Sequence, residues 1–188
     1  MTSDTDEALV GALAAGDDRA LNELMDRWQE PLRGFLYRYT QNDRDAMDLA
    51  QETFVRIYQH RARFRRGARF STWMFQIGLN LARSRARWLR RHPTDSLDQE
   101  QEAPGSRTLA SDDPTPADDA LQAERAATVR RAVAGLPPDL RAAVILAEFE
   151  DKSHAEIALI ARTTAKAIET RLYRARQQLR KTLARYLV

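Results

Sequence analysis

Residues 45–91 read DAMDLAQETFVRIYQHRARFRRGARFSTWMFQIGLNLARSRARWLRR, and the fold is decided in this stretch. Its apolar residues keep a helical period on both sides of a short break. Before the break, Met47, Ala50, Phe54 and Ile57 or Tyr58 recur at three- and four-residue steps, which sets them on one face of a helix, expected to be the inner one. Asp48, Gln51, Glu52 and Val55 lie on another face. Gly67 and its flanking arginines end that helix, and Ser71 is the expected N-cap of the next. In the second helix Trp73, Ile77, Leu81 and Trp88 are read as pointing inward. Asn80, Arg83, Ser84 and Arg87 follow i, i+3, i+4, i+7 and are read as pointing outward.

The charge of the stretch is one-sided. Between Thr53 and Arg91 there are eleven arginines and no acid. Ordinary helix surfaces mix signs for i, i+4 pairing, so a run like this one seeks a polyanion. Phe64, Phe70, Trp73, Phe75 and Trp88 are interleaved with the arginines. Rings at helical spacing serve a core as readily as a stacking platform, but together with the cations they match nucleic acid. An outward stripe of Asn, Arg and Ser can hydrogen-bond base edges and phosphates.

The rest of the chain compensates. Its 188 residues carry a net charge of only +3. Residues 1–52 hold twelve acids against five arginines, and residues 93–119 hold eight acids against Arg107. Cysteine is absent, which removes disulfides and thiolate metal sites from consideration, and His60, His92 and His154 lie far apart in sequence. No apolar run has the length of a membrane span and the acidic start lacks signal-peptide character, so a cytoplasmic protein without membrane insertion is expected. No carboxylate pair, nucleophile with its base, phosphate-cradling glycine loop or metal cluster stands out, and neither enzyme activity nor a cofactor is expected.

Working outward, residues 6–15 read as a short amphipathic helix and 19–40 as a longer one that Pro31 should bend or split. From Pro93 to about Asp118 periodicity gives way to an acidic stretch punctuated by Pro93, Pro104, Gly105, Pro114 and Pro116, a linker by composition. Helical pattern then resumes. Ser153 with Glu156 makes a capping box, and Thr163 or Thr164 caps a further helix whose buried face is Ile168, Leu172, Ala175 and Leu179. A short helix, a tight turn and a long basic helix describe a helix-turn-helix. On the long helix Lys166, Glu169, Thr170 and Tyr173 form the stripe opposite the buried one, placed to read a major groove, with Arg171 and Arg174 beside them for phosphates. The expected fold is therefore all-α, with two small helical domains, 1–92 and 119–188, joined by a flexible acidic linker over 93–118.

Four blocks together, LVGALAAGDDRALNELMDRW, DAMDLAQETFVRIY, FSTWMFQIGLN and LPPDLRAAVIL…SHAEIA…IETRLYRARQQL, resemble in order and spacing a bacterial sigma factor of the sigma-70 family, in the short extracytoplasmic-function (ECF) group. The resemblance covers nearly everything from Leu9 to Leu183. It implies a region 2 helical bundle that docks on core RNA polymerase through Asp48, Gln51 and Glu52. It also implies that the loop Arg63, Phe64, Arg65, Arg66 and Arg69 captures a flipped base of the minus-ten element, with Trp73 flanking that base. Asn80, Arg83, Ser84 and Arg87 would meet the adjoining DNA. The helix-turn-helix would be region 4, reading the minus-thirty-five element through Lys166, Glu169, Thr170, Arg171, Tyr173 and Arg174. A monomeric factor that helps melt promoters, with a cognate anti-sigma factor as a further partner, is the implied function.

Two positions depart from the family pattern. Arg162 stands where glycine is common at the turn, and Glu169 stands where a basic or small residue is common. Glu169 could accept from a cytosine amino group and so alter promoter preference. The rival readings are a helix-turn-helix regulator that binds operators without polymerase, and a nucleic-acid-processing enzyme with an acidic metal site at Asp45, Asp48 and Glu52. The second is weakened because one helix rarely supplies a complete two-metal site.

Overall fold

The computed structural model describes residues 5–65, 67–92 and 116–184, the side chains of 116–121 excepted. All regular structure among the described residues is helical: α1 (Asp6–Ala14), α2 (Arg19–Thr40), α3 (Asp43–His60), α4 (Phe70–Arg91), α5 (Pro116–Ala134), α6 (Pro138–Glu148), α7 (His154–Ala161) and α8 (Ala165–Leu183). A single 3-10 turn at Arg61–Arg63 follows α3. The expected linker lies outside the described residues except for its end, where α5 begins.

The first core forms where α2, α3 and α4 meet. Leu24, Leu32, Phe35 and Leu36 of α2, Phe54 and Ile57 of α3, and Met74, Phe75 and Leu79 of α4 are buried. Phe35 and Phe75 meet edge to face at 5.1 Å, a geometry worth about 1 kcal/mol beyond the area buried. Gly78 lets α4 come close to its neighbours, because a Cβ there would sit 3.2 Å from Leu32 Cδ1 and 3.5 Å from Thr53 Oγ1. Thr53 itself is buried without penalty, since its hydroxyl donates to the Leu49 carbonyl at 2.7 Å.

Three expectations need correction. Met47 is 47% exposed, because α3 is rotated so that Ala46, Leu49, Ala50, Thr53, Phe54 and Ile57 face the core. On α4 the buried face is Phe70, Met74, Phe75, Gly78, Leu79 and Ala82. Trp73, Ile77 and Leu81 are only half-buried, and Trp88 is exposed. The physical reason is that α4 packs on two sides, with α7 lying along it as well as α2 and α3, so a four-step count finds an apolar flank as readily as the core face. Ser71 is buried inside α4 rather than capping it, and Arg69 takes the N-cap position without a side-chain hydrogen bond. Pro31 does not split the second helix, which runs through it from Arg19 to Thr40.

The second core gathers Leu140, Val144, Ile145 and Leu146 of α6, Ile157 and Ile160 of α7, and Ile168, Leu172 and Ala175 of α8. Local signals set its boundaries. The Ser153 hydroxyl accepts from Glu156 N while the Glu156 carboxylate accepts from Ser153 N, a complete capping box. Arg162 ends α7 in the left-handed region at φ 53°, and the Thr164 hydroxyl accepts from Ala167 N to start α8. The two halves touch, α6 against α2 and α7 against α4.

Candidate nucleic-acid interface

On α3, Asp48 and Gln51 are exposed and Glu52 is half-exposed, its carboxylate accepting from Arg56 Nε at 2.7 Å. Met47 and Val55, at 47% and 48% exposure, extend the same face with apolar surface. Beside it runs a groove of about 860 Å³ between α2 and α3, whose walls include Leu21, Met25, Gln51, Val55 and Tyr58. Exposed apolar groups interleaved with polar ones next to a groove make a surface suited to a protein partner. Sequence periodicity missed Met47 here by placing it inside. Asp45 does not belong to this face, since it is buried with its carboxylate 3.1 Å from Arg85 Nη2, which leaves the proposed acidic triad apart.

The arginine-rich loop follows α3. Arg63 and Arg65 are exposed, and Arg66 lies outside the described residues. Phe64 is half-buried with its ring centroid 5.2 Å from that of Trp73. Further along α4, Asn80 and Arg83 are half-buried, while Ser84 and Arg87 are exposed and bonded to each other at 3.0 Å. Glu7, 63 residues upstream of Phe70, supplies the cap that Arg69 lacks, because its carboxylate accepts from Phe70 N at 3.0 Å. A negative group at that position also complements the positive end of the helix dipole. Nothing local in the sequence signals this contact.

On α8 the stripe Lys166, Glu169, Thr170, Tyr173 and Arg174 is exposed, Tyr173 at 65%, while Ile168, Leu172 and Ala175 are buried behind it. Lys166 Nζ lies 2.8 Å from the Glu169 carboxylate, and this partner holds Glu169 below the usual carboxylate range. Arg171 is half-buried and reaches Asp139 at 3.3 Å.

Several of these groups are engaged across the two halves. Arg69 meets Glu156 at 3.1 Å, Gln76 Nε2 donates to the Leu159 carbonyl at 2.7 Å, and Arg83 meets the same Asp139 at 2.7 Å. Arg141 Nη1 donates to the Tyr39 carbonyl at 2.7 Å, and its Nη2 donates to the Ala134 and Leu136 carbonyls, so one guanidinium ties together the ends of α2 and α5. Burial holds Arg141 below its ordinary pKa. The loop between α6 and α7 inserts Glu150 beside Arg38 at 3.5 Å, and Lys152 beside the Ser71 hydroxyl at 3.2 Å and the rings of Trp28 and Phe75.

Two family models match this arrangement, sigma-70 region 2 over residues 24–92 and sigma-70 region 4 over residues 126–179. The chain belongs to the sigma-70 family. Its relatives include an RNA polymerase sigma-H factor of Pseudomonas aeruginosa, 32% identical over 97% of this chain and 96% of that protein. They also include ECF RNA polymerase sigma-E factors of Haemophilus influenzae, 33% identical over 93% of each chain, and of Escherichia coli, 32% identical over 92% of this chain and 91% of that one. The fold matches that of CnrH, solved with the cytosolic domain of CnrY, at a TM-score of 0.71, 24% identity and coverage of 96% and 98%. It also matches RpoE of Bartonella quintana, solved with the anti-sigma factor NepR, at 0.69, 24% identity and coverage of 87% and 96%. This sigma factor is thus of the ECF type, with region 2 in the first helical unit and region 4 in the second, and its work is RNA polymerase-dependent promoter recognition. Among the described residues no helix is long and apolar enough to cross a membrane.

Proposed function

We propose that this ECF sigma factor docks on core RNA polymerase through Asp48, Gln51 and Glu52, with Met47 and Val55 adding apolar contact. Residues 1–92 form the polymerase-binding and minus-ten unit, 93–118 the acidic linker, and 119–188 the minus-thirty-five unit. The exposed mixed face of α3, bordered by its groove, is the observation that carries this reading. Arg63, Phe64, Arg65, Arg66, Arg69 and Trp73 take the melted minus-ten strand, where stacking and phosphate neutralisation offset the few kcal/mol of base extrusion. Asn80, Arg83, Ser84 and Arg87 follow the adjoining DNA. Lys166, Glu169, Thr170, Tyr173 and Arg174 face the minus-thirty-five major groove, with Arg171 on the backbone.

The protein works in the cytoplasm, as a monomer and without catalysis of its own. In its closed form Arg69 and Arg83 are paired with region 4, so polymerase and promoter must separate the two units before both elements can be read. A cognate anti-sigma factor is the further partner this reading implies.

The test is co-elution with sigma-free core polymerase. The wild type is expected to co-elute and Gln51→Ala/Glu52→Ala is not. Failure of the wild type to associate, together with specific duplex binding by the free chain, would replace this reading with a polymerase-independent regulator.

A further inference from the structure

The last turns of α4 have no core beneath them. Its buried residues end at Ala82, and residues 83–91 carry five arginines and no acid. Arg83, Arg87 and Arg91 follow one another at steps of four, a spacing at which like charges oppose the helix, and the helix dipole favours cations only in the final turn, at Arg90 and Arg91. Left to itself such a tail would fray. It is nevertheless helical to Arg91, and it carries Ser84 and Arg87.

A chain of side-chain contacts holds the tail. The Asp45 carboxylate, only 8% exposed, lies 3.1 Å from both Nε and Nη2 of Arg85 and accepts from Nε. The Arg85 guanidinium lies over the Trp88 ring, 5.1 Å from its centre. Trp88 in turn stacks on His92 at 4.8 Å, and His92 Nδ1 donates to the Trp88 carbonyl at 3.0 Å. Asp45 is itself anchored, its backbone N–H donating to Asn42 Oδ1 at 2.7 Å where α3 begins.

Among the described residues, Asp45 with Arg85 is the one ion pair that the tail makes within its own unit, since Arg83 pairs with Asp139 of the second. Separation of the two units takes the Asp139 pair away and leaves the Asp45 pair in place. Asp45 stands three residues before Asp48, so one turn of α3 carries one carboxylate outward to the proposed polymerase face and another inward to α4.

We propose that Asp45 is a positioning residue for promoter DNA: by holding Arg85 it keeps the tail of α4 helical, and so keeps Ser84 and Arg87 in register with the duplex beside the minus-ten element. Asp45 does this without touching DNA. The role rests on the reading of Ser84 and Arg87 as DNA-facing.

The test uses holoenzyme assembled from the full chain and core polymerase, with two fluorescein-labelled probes cut from a promoter that the wild-type holoenzyme transcribes. One is a fork whose DNA is duplex upstream of the minus-ten element, and the other is the minus-ten non-template strand alone. Asp45→Asn keeps the shape of the side chain and removes its charge. It should weaken binding of the fork by about tenfold, which is about 1.4 kcal/mol, and binding of the single strand by less than about twofold. Amide hydrogen exchange over residues 83–91 should quicken about tenfold while that over 70–82 keeps the wild-type rate, and co-elution with core polymerase should be unchanged. Asp45→Glu restores the carboxylate and should recover both the fork affinity and the protection of the tail. Equal losses on the two probes, or a fork loss without faster exchange of the tail, would overturn the proposal. Fork binding that Asp45→Asn leaves unchanged and Ser84→Ala/Arg87→Ala weakens would strike the positioning role alone. If Ser84→Ala/Arg87→Ala leaves fork binding unchanged, the DNA reading of the tail and the positioning role fall together.

Discussion

Glu150 offers a way to open the closed form without touching a DNA-directed residue. It sits between α6 and α7 with its side chain only 8% exposed, and burial pushes its carboxyl up to about 7, against the pull of Arg38 and Lys152 and with a small push from Asp151. When the two units separate, Glu150 meets water and returns to the ordinary 4.5. The closed form therefore binds the proton more tightly. Its contribution is fully present below about pH 4.5 and is lost as pH rises to about 7, above which the loss is constant. A shift of this size is worth at most about 3 kcal/mol, and partial solvent screening lowers the expected value to about 2 kcal/mol. The closing equilibrium should then weaken about thirtyfold between pH 5 and pH 8.

The chain has no cysteine, so Gln29→Cys on α2 and Gln178→Cys on α8, both at exposed positions, can carry a donor and acceptor pair for energy transfer. Transfer should fall with rising pH in this background. Adding Glu150→Gln should flatten the curve and hold the chain closed at pH 8. A wild-type curve that is flat, or one that Glu150→Gln leaves unchanged, would refute the assignment of this carboxyl to the latch.

Asp139→Asn releases Arg83 and Arg171 together, and at about 0.5–1 kcal/mol for such exposed pairs the free chain should bind promoter DNA about two- to fivefold more tightly in a filter or anisotropy assay; unchanged affinity would mean that the pairs do not restrain DNA binding. Arg162→Gly removes a side chain from the left-handed region, so thermal unfolding should show a gain of about 0.5–1 kcal/mol, whereas a loss would show that Arg162 makes contacts worth more than its backbone strain. Ser153→Ala breaks the capping box at the start of α7 and should cost about 1 kcal/mol in denaturant unfolding, with little effect on the binding of core polymerase.

The parts legible in the sequence were those whose cause is local. Ser153 with Glu156 and Thr164 before Ala165 announce helix starts within three residues, and the burial of Ile168, Leu172 and Ala175 on α8 follows from spacing alone, while Leu179, the fourth of that series, is only half-buried near the end of the helix. The polarity of Asp48, Gln51 and Glu52 likewise placed them outside. What escaped was set at a distance. Whether Trp73 or Met74 faces the core depends on α7, more than eighty residues away in sequence, approaching α4 from a second side. The capping of α4 by Glu7 and the joining of Arg83 to Arg171 through Asp139 are long-range electrostatics, for which one-dimensional pattern carries no signal.

The shared carboxylate of Asp139 has a thermodynamic meaning. Its two oxygens hold one arginine from each DNA-directed surface, so a phosphate that captures one arginine leaves the whole carboxylate to the other and tightens that restraint. Through this residue, affinity gained at one promoter element weakens the hold on the second, and the coupling runs equally in both directions. Full engagement of a promoter would then have to overcome an opposition built into a single shared carboxylate.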